Sequence, residues 1–297
     1  MRIPSSDHAN QLSAELCTPS GQGPFPAVVD LRPRSCEGPA GIPPGWEQTT
    51  LPSWGYAVLA IDSIAARGLA PRGCQDIGAL SSRQVIGDAY SGLDFLAHDR
   101  RIDTKRVALL GFRAGVAIAA ILSDTTEARE TFSSKDAARF RAFFAISPYC
   151  NVKFAGHTPQ LYAPARVFAG EKDDFDPADR CVQLAESFRA RGSDFVVTVY
   201  PGARGGFDIT PPDTNYPLPD RTAMHPGGVT VSTHPQYDPW VTNLANCTVT
   251  LKSVFDTVNP SGLAGCTRRG AHFQENAETA AQLQNDLRRE LNVLLSE

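Results

Sequence analysis

The chain has 297 residues, of which 42% are hydrophobic, so it is long enough for one large domain with a sizeable core. Its formal net charge of -4 at pH 7 argues against nucleic acids and anionic membranes as partners. No stretch approaches the roughly 18 apolar residues of a membrane-spanning helix, and the seven cysteines form no C-x-x-C pair, which disfavours a zinc ribbon or a thioredoxin-like site.

Short apolar runs alternate along the chain with segments typical of helices. The runs predicted as strands are residues 12–17, 27–31, 56–62, 107–110, 143–147, 165–170 and 195–200. Helices are predicted over residues 85–96, 114–122, 177–192 and 277–295, mostly from apolar residues three and four apart. This alternation indicates βαβ units, so the predicted fold is α/β: a mostly parallel, doubly wound sheet flanked by helices. Ligands of such a sheet bind at the carboxyl ends of its strands.

The segment 210–266 interrupts this pattern, because prolines recur in it and only a short strand or hairpin near 249–258 is predicted. We interpret the segment as an inserted cap within a single domain that spans residues 1–297. Four of the six histidines lie in the second half of the chain and show no spacing typical of metal ligands, so neither a metal nor another cofactor is predicted. They are His157, His225, His234 and His272.

The stretch from Val107 to Leu122 predicts a buried strand, a tight turn and a helix. Gly111 and Gly115 bracket the turn, and this Gly-x-x-x-Gly arrangement is the frame of a nucleophile elbow. Such an elbow holds its central residue on a strained turn that points into the active site, and a working hydrolase has Ser or Cys there. This chain has Arg113, whose guanidinium stays protonated at ordinary pH and is not a nucleophile.

The order of these motifs resembles the dienelactone hydrolase family of α/β-hydrolases over nearly the whole chain. Besides the elbow, the matching segments are 24–29 (PFPAVV), 55–63 (GYAVLAIDS), 170–174 (GEKDD), 200–203 (YPGA), 207–208 (FD) and 269–272 (RGAH). The resemblance implies an α/β-hydrolase fold. It also implies a site built on a nucleophile, an acid and a histidine that activates the nucleophile.

Matched motif by motif, the nucleophile position of the family falls on Arg113 and the histidine position on Gly205, while the acid position falls on Asp173. Only the acid is therefore retained. The loop that helps to build the family's oxyanion hole reads Arg32-Pro33-Arg34 here, and Pro33 has no backbone N–H to donate. The resemblance thus implies a hydrolase scaffold from which ordinary Ser/Cys–His–Asp hydrolysis is not expected.

Arg113 has two interpretations. In the first, it forms a structural ion pair with Asp173 or Asp174. In the second, it binds an anionic group of a ligand, because the planar guanidinium fork suits carboxylates and phosphates. By correspondence with the family, four arginines would line this pocket: Arg113, Arg32, Arg34 and Arg204.

Three kinds of function follow. The main prediction is a pseudoenzyme or a binding protein for an anionic small molecule. The alternative is an enzyme: a divergent hydrolase of small carboxylate esters or lactones, or a lyase, isomerase or cyclase in which Asp173 acts as a base and the arginines hold the anion. The third is an interaction protein whose proline-rich segment binds a partner. No nucleic-acid or membrane partner is predicted, and the sequence does not indicate an oligomeric state.

The cysteines favour disulfides over catalysis. The candidate pairs are Cys247–Cys266, Cys150–Cys181 and Cys36–Cys74, although spacing alone does not determine connectivity. Disulfides imply an oxidising compartment, whereas residues 1–8 lack the apolar region of a signal peptide. From the sequence as written we expect a cytoplasmic protein, with a periplasmic or secreted mature form as the alternative that the cysteines favour.

Overall fold

The computed structural model describes residues 1–31, 45–69, 80–134, 137–208, 230–231, 242–243, 247–258, 268–269, 272–273 and 276–296. The strands of the main body are β1 (Arg2–Pro4), β2 (Gln11–Cys17), β3 (Phe25–Leu31), β4 (Ala57–Asp62), β5 (Ile102–Arg113), β6 (Phe140–Pro148), β7 (Val152–Phe154), β8 (Ala165–Gly170) and β9 (Phe195–Tyr200). The helices are α1 (Trp46–Ser53), α2 (Ser82–Ala97), α3 (Ala114–Leu122), α4 (Thr126–Phe132), α5 (Ala178–Arg189) and α6 (Ala277–Leu294).

Within these residues, all the strands of the main body except β7 form one sheet in the order β1-β2-β4-β3-β5-β6-β8-β9. The strands from β4 to β9 in this order run parallel, and β2 is antiparallel to both β1 and β4. This is the mostly parallel α/β sheet predicted from the sequence. The parallel strands place their carboxyl ends on one edge, where ligands of such sheets bind.

Apolar layers cover both faces of the sheet. One face packs against the buried sides of α2, α3 and α5. The other packs against α1 and α6, and α6 contributes Leu283, Leu287 and Leu291, which recur every fourth residue and are buried. Because the central strands are covered on both faces, they are nearly continuous apolar runs, as in Val107–Leu110.

Local signals explain where the longest helices begin. Ser81 precedes α2, and its side chain accepts a hydrogen bond from the Gln84 N–H while the Gln84 side chain bonds back, which forms a capping box. Asn276 precedes α6 and accepts a hydrogen bond from the Thr279 N–H. Each cap satisfies backbone donors that the first turn of a helix leaves without partners.

Four elements of the main body were not predicted. Helix α1 contains Pro52 and has little apolar periodicity, helix α4 has only seven residues, and strands β1 and β7 have three each. Strand β5 extends beyond the predicted apolar run at both ends. The remaining strands are short: β10 (Thr230–Val231), β11 (Thr242–Asn243), β12 (Val249–Leu251), β13 (Arg268–Arg269) and β14 (His272–Phe273).

The segment interpreted as a cap lies mostly outside the described residues. Its last part, 247–258, is built into the main core. Strand β12 pairs in parallel with β7, so the predicted strand near 249–258 is present. The Tyr149 hydroxyl donates a hydrogen bond to the Cys247 carbonyl, and Thr248 Oγ1 donates to Asn151 Oδ1 at 2.8 Å.

Cys150 and Cys181 form a disulfide, with an S–S distance of 2.07 Å, which confirms one of the three candidate pairs. The bond joins the loop after β6 to helix α5. Cys247 is also disulfide-bonded. The other cysteines of the candidate pairs, Cys36, Cys74 and Cys266, lie outside the described residues. None of the helices in the described ranges is long and apolar enough to cross a membrane.

Gly111 allows helix α3 to approach strand β5 closely. A Cβ at this position would lie 2.7 Å from the Ala120 Cβ and 2.9 Å from the Ala117 Cα. We expect Gly111→Ala to lower the free energy of unfolding by about 1–3 kcal/mol, because the helix must move away from the strand. Urea denaturation measures this loss.

Gly156→Ala is the matched control, since no atom lies within 4 Å of a Cβ built there. Its unfolding midpoint should stay at or slightly above that of the native chain. Equal stability of the two variants would contradict this account of the packing behind the elbow.

Candidate functional site

Arg113 stands where β5 ends and α3 begins, with backbone angles φ 63° and ψ 140°. A residue with a side chain pays on the order of 1–3 kcal/mol to adopt such a conformation. The last strand residues before it (107–112) and the helix residues 117–122 after it are buried, so the surrounding packing imposes this geometry. The turn has the backbone of a nucleophile elbow, and it places an arginine side chain at the carboxyl edge of the sheet.

The guanidinium of Arg113 is held by Asp208, which lies in the turn after β9. Nη2 donates to both carboxylate oxygens, at 3.0 Å to Oδ1 and 3.2 Å to Oδ2. The Asp208 side chain is fully buried, whereas 26% of the Arg113 side chain is exposed. The sequence suggested Asp173 or Asp174 as the partner in a structural pair. The structure corrects that expectation, because the turn after β9 brings Asp208 closer to the guanidinium.

The other nitrogens of Arg113 remain accessible as donors. In the described part of the structure, neither Nε nor Nη1 donates a hydrogen bond, and the side chain is partly open to solvent. A guanidinium fixed through one nitrogen keeps its plane oriented while the other N–H groups face a ligand. The arrangement is therefore suited to bind a planar anion from the solvent side.

Asp173, at the predicted acid position, follows β8 and is 4% exposed. Its Oδ1 accepts hydrogen bonds from the Phe175 N–H at 3.0 Å and the Asp176 N–H at 2.9 Å. Burial raises the pKa of Asp173 to about 6, although these two hydrogen bonds and the positive charge of Arg113 act to lower it. The charge of Arg113 is thus close enough to act on the carboxyl group at the acid position.

The Oδ2 atom of Asp173 has a different environment from Oδ1. Among the described residues, no group donates a hydrogen bond to Oδ2. One oxygen of the carboxyl group is therefore fixed by the backbone, and the other is left to hold a proton or to meet a ligand.

The turns after β8 and β9 pack against each other, which brings the predicted acid and histidine positions to one place. The Lys172 N–H donates to the Ala203 carbonyl at 2.8 Å, two residues before Gly205. Gly205 is buried and Arg204 is half-buried. Arg32 and Arg34, the other predicted ligand-binding residues, lie outside the described residues.

Ser147 was not singled out in the sequence. It lies near the end of β6, beside the elbow strand, since Ile146 is paired with Phe112 in the sheet. Its φ is 48°, its side chain is buried, and no residue in the described ranges forms a hydrogen bond with its hydroxyl. Two neighbouring strands thus carry a residue with positive φ at their last or second-last position. The Ser-Pro pair that closes an apolar run was the available signal.

A small cavity lies on the apolar side of the elbow, among the described residues. This cavity of about 10 Å³, lined in part by Leu31 and Val116, has room for no more than a water molecule. A cavity of about 440 Å³ lies elsewhere, between α2, the end of α4 and the turn after β1. No cluster of three or more His, Cys, Asp or Glu side chains within the described ranges could hold a metal ion.

The ion pair between Arg113 and Asp208 should contribute to the free energy of unfolding. Arg113→Gln keeps the strained backbone but removes the charge beside a fully buried carboxylate. We expect the free energy of unfolding to fall by about 2–3 kcal/mol, and Asp208→Asn in the same chain to recover part of this loss. Thermal and urea denaturation of the single and double variants measure both effects.

Arg106→Gln is the control for this substitution. Arg106 lies on the same strand and is similarly exposed, at 22%, but its partner Asp103 is itself 24% exposed. Loss of this pair should cost less than about 1 kcal/mol. Equal losses in the two variants would contradict a special role for the elbow pair.

Comparison with known proteins agrees with this fold. The model of the dienelactone hydrolase family matches residues 51–219. A structure described as a dienelactone hydrolase from Klebsiella pneumoniae subsp. pneumoniae is 18% identical, with a TM-score of 0.53, and the match covers 70% of this chain and 87% of that one. No curated protein matches the sequence.

Two further structures have the same fold. The propionate-bound esterase Est2 of Thermogutta terrifontis is 12% identical, with a TM-score of 0.50, and the match covers 72% of this chain and 87% of that one. An acylaminoacyl peptidase in complex with a chloromethyl ketone is 14% identical, with a TM-score of 0.51 over 70% of this chain and 37% of that one. The family match covers more than half of the sequence, and the sheet has the topology expected from it. The chain therefore belongs to the dienelactone hydrolase family.

Proposed function

We propose that this chain is a non-hydrolytic member of the family, and that its elbow arginine binds a small molecule carrying a carboxylate. The observation that carries the proposal is the state of Arg113. It occupies the nucleophile position, is anchored to Asp208 through one nitrogen only, and keeps its other donors on a partly exposed side chain.

The chemistry of the site argues against ester hydrolysis by the family's mechanism. Arg113 cannot attack a carbonyl, and Gly205 has no imidazole to accept a proton. A serine hydrolase without its triad still accelerates the reaction roughly 10³–10⁴-fold over water. This remaining acceleration depends on an intact oxyanion hole and on substrate binding. Pro33 removes one donor from the loop that would build this hole.

A carboxylate fits the charge of the site better than a phosphate dianion does. The guanidinium already lies against Asp208, and Asp173 is near enough for the two charges to interact. Each further negative charge on a ligand is repelled by these carboxyl groups. A monoanion limits that repulsion and still accepts two hydrogen bonds from a guanidinium.

An enzyme of another class is the second candidate. The observation that favours it is Asp173, whose pKa burial raises to about 6 and whose Oδ2 is not engaged within the described residues. A carboxyl group that titrates near neutrality is suited to general acid–base catalysis. In this version Arg113 holds the carboxylate of a substrate, and Asp173 moves a proton in an isomerisation, cyclisation or elimination.

The disulfide bears on where the protein works. Cys150 and Cys181 are both buried, and their bond joins two elements next to the site. Since disulfides persist in oxidising surroundings, we infer that the mature chain acts in a periplasmic or extracellular compartment.

The first test of the proposal is an ester assay. Purified native protein should hydrolyse a short activated aryl ester no faster than the buffer does, because Arg113 is not a nucleophile and Gly205 supplies no base at the histidine position. Absorbance of the released phenolate measures the rate. A rate above buffer that Asp173→Asn abolishes would contradict the proposal and restore a hydrolase function.

The second test measures binding of propionate by isothermal titration calorimetry. Native protein should bind propionate, and Arg113→Lys should bind it at least about tenfold more weakly, because an ammonium keeps the charge but loses the planar fork. The lysine also keeps a positive charge next to Asp208, so the fold should persist.

Arg106→Lys is the matched control, because Arg106 lies on the same strand, is similarly exposed and also forms an ion pair. It should bind propionate as the native protein does. The proposal fails if native protein binds no carboxylate, or if Arg113→Lys and the native chain bind equally well.

A further inference from the structure

We infer that the carboxylate ligand binds together with one proton, which is shared between the ligand and Asp173 Oδ2. Arg113 then compensates the negative charge of the ligand. Asp173 favours monocarboxylates as ligands, and it does so only when the shared proton is present. The inference rests on the function proposed above, since it concerns the same site.

The geometry of Asp173 is the first observation. Its Oδ1 accepts two backbone hydrogen bonds, from Phe175 and Asp176, which fix the plane of the carboxyl group. Its Oδ2 accepts none in the described part of the chain. A buried carboxyl group of this kind has one oxygen ready to carry a proton and to donate a hydrogen bond.

The convergence of strand ends is the second observation. Arg113 closes β5 and Asp173 follows β8, with only β6 between them in the sheet. The positive charge of Arg113 acts on the Asp173 carboxyl group, so the two groups share one environment. A carboxylate that accepts hydrogen bonds from Nε or Nη1 of Arg113 therefore comes near an acid whose Oδ2 is unclaimed.

The charges around Asp173 decide the direction of the pH effect. Asp174, in the same turn, acts on Asp173 with a negative charge, and Arg113, from the elbow, acts with a positive one. Asp208, from the turn after β9, already offsets part of the Arg113 charge. Asp176, ahead of α5, donates its N–H to Asp173 and lies near Tyr149. Adding the carboxylate of a ligand next to an ionised Asp173 is favourable only if one proton is added too.

The proton balance follows from the pKa of Asp173, which burial raises to about 6. Above this pH, free Asp173 is ionised, and each binding event takes one proton from solvent. The dissociation constant should therefore rise about tenfold per pH unit above pH 6. As the pH falls below 6, a growing share of Asp173 already carries the proton, and the affinity should level off.

The test is calorimetric titration of the full chain with propionate at pH 6, 7 and 8, in two buffers of different ionisation enthalpy. The expected result is uptake of close to one proton per propionate at pH 8, with a dissociation constant about 50-fold higher than at pH 6, where half of the Asp173 groups already carry the proton. The difference between the buffers measures the protons directly.

Asp173→Asn is the informative variant. Its Oδ1 can still accept the two backbone hydrogen bonds, and its Nδ2 donates where the protonated carboxyl group would. It should bind propionate with the same affinity at pH 6 and pH 8 and with no proton uptake.

Asp124→Asn is the control. Burial also raises the pKa of Asp124 to about 6, but this residue lies beyond the far end of α3, about 14 Å along the helix from the elbow. The Asp124→Asn substitution should leave proton uptake unchanged.

If native protein binds propionate equally at pH 6 and pH 8 without proton uptake, the inference is wrong and the proposed function stands. If it binds at none of these pH values, the proposed function is wrong and the inference falls with it.

Discussion

The interaction between Arg113 and Asp208 constrains the whole carboxyl edge of the sheet. It joins the end of β5 to the turn after β9 across the two strands between them. A fully buried carboxylate is stable as an anion only beside a compensating charge. The elbow arginine and Asp208 therefore depend on each other, and the position of one largely fixes the position of the other.

This dependence explains how an elbow can persist without a nucleophile. The strained backbone of Arg113 is imposed by packing that lies behind it, above all by the close approach of α3 to Gly111. The same turn that aims a serine in a hydrolase here aims a guanidinium. Asp208 then anchors that guanidinium without using all of its donors. Under the proposed function, this elbow presents a guanidinium instead of a nucleophile at the carboxyl edge of the sheet.

Much of the fold could be predicted from the sequence because its signals are local. The central strands are short apolar runs, and α6 shows leucines at every fourth position. Helix α1 was missed because burial of its Leu51 depends on the sheet rather than on a periodic pattern. Helix α4 was missed because its strongest signal is a single N-cap residue, Thr125, whose side chain accepts a hydrogen bond from the Ala128 N–H.

The site was less predictable, since it depends on contacts between distant parts of the chain. Arg113 and Asp173 were found by matching motifs, but the partner of Arg113 lies 95 residues further along the sequence. Asp208 was visible only as part of a motif, and nothing in its sequence neighbours shows that it is buried against the elbow. The hydroxyl of Ser147 could be recognised as lacking a partner only once its surroundings were known.

The most direct test of the central claim is to observe the guanidinium of Arg113 itself. In protein labelled with ¹⁵N-arginine, the Arg113 Nε–H resonance can be assigned by its loss in Arg113→Lys and followed while propionate is added. The account predicts a saturable shift of this resonance, with the Arg106 resonance unchanged. An Arg113 resonance that stays fixed while propionate binds, or shifts no larger than those of the other arginines, would contradict it.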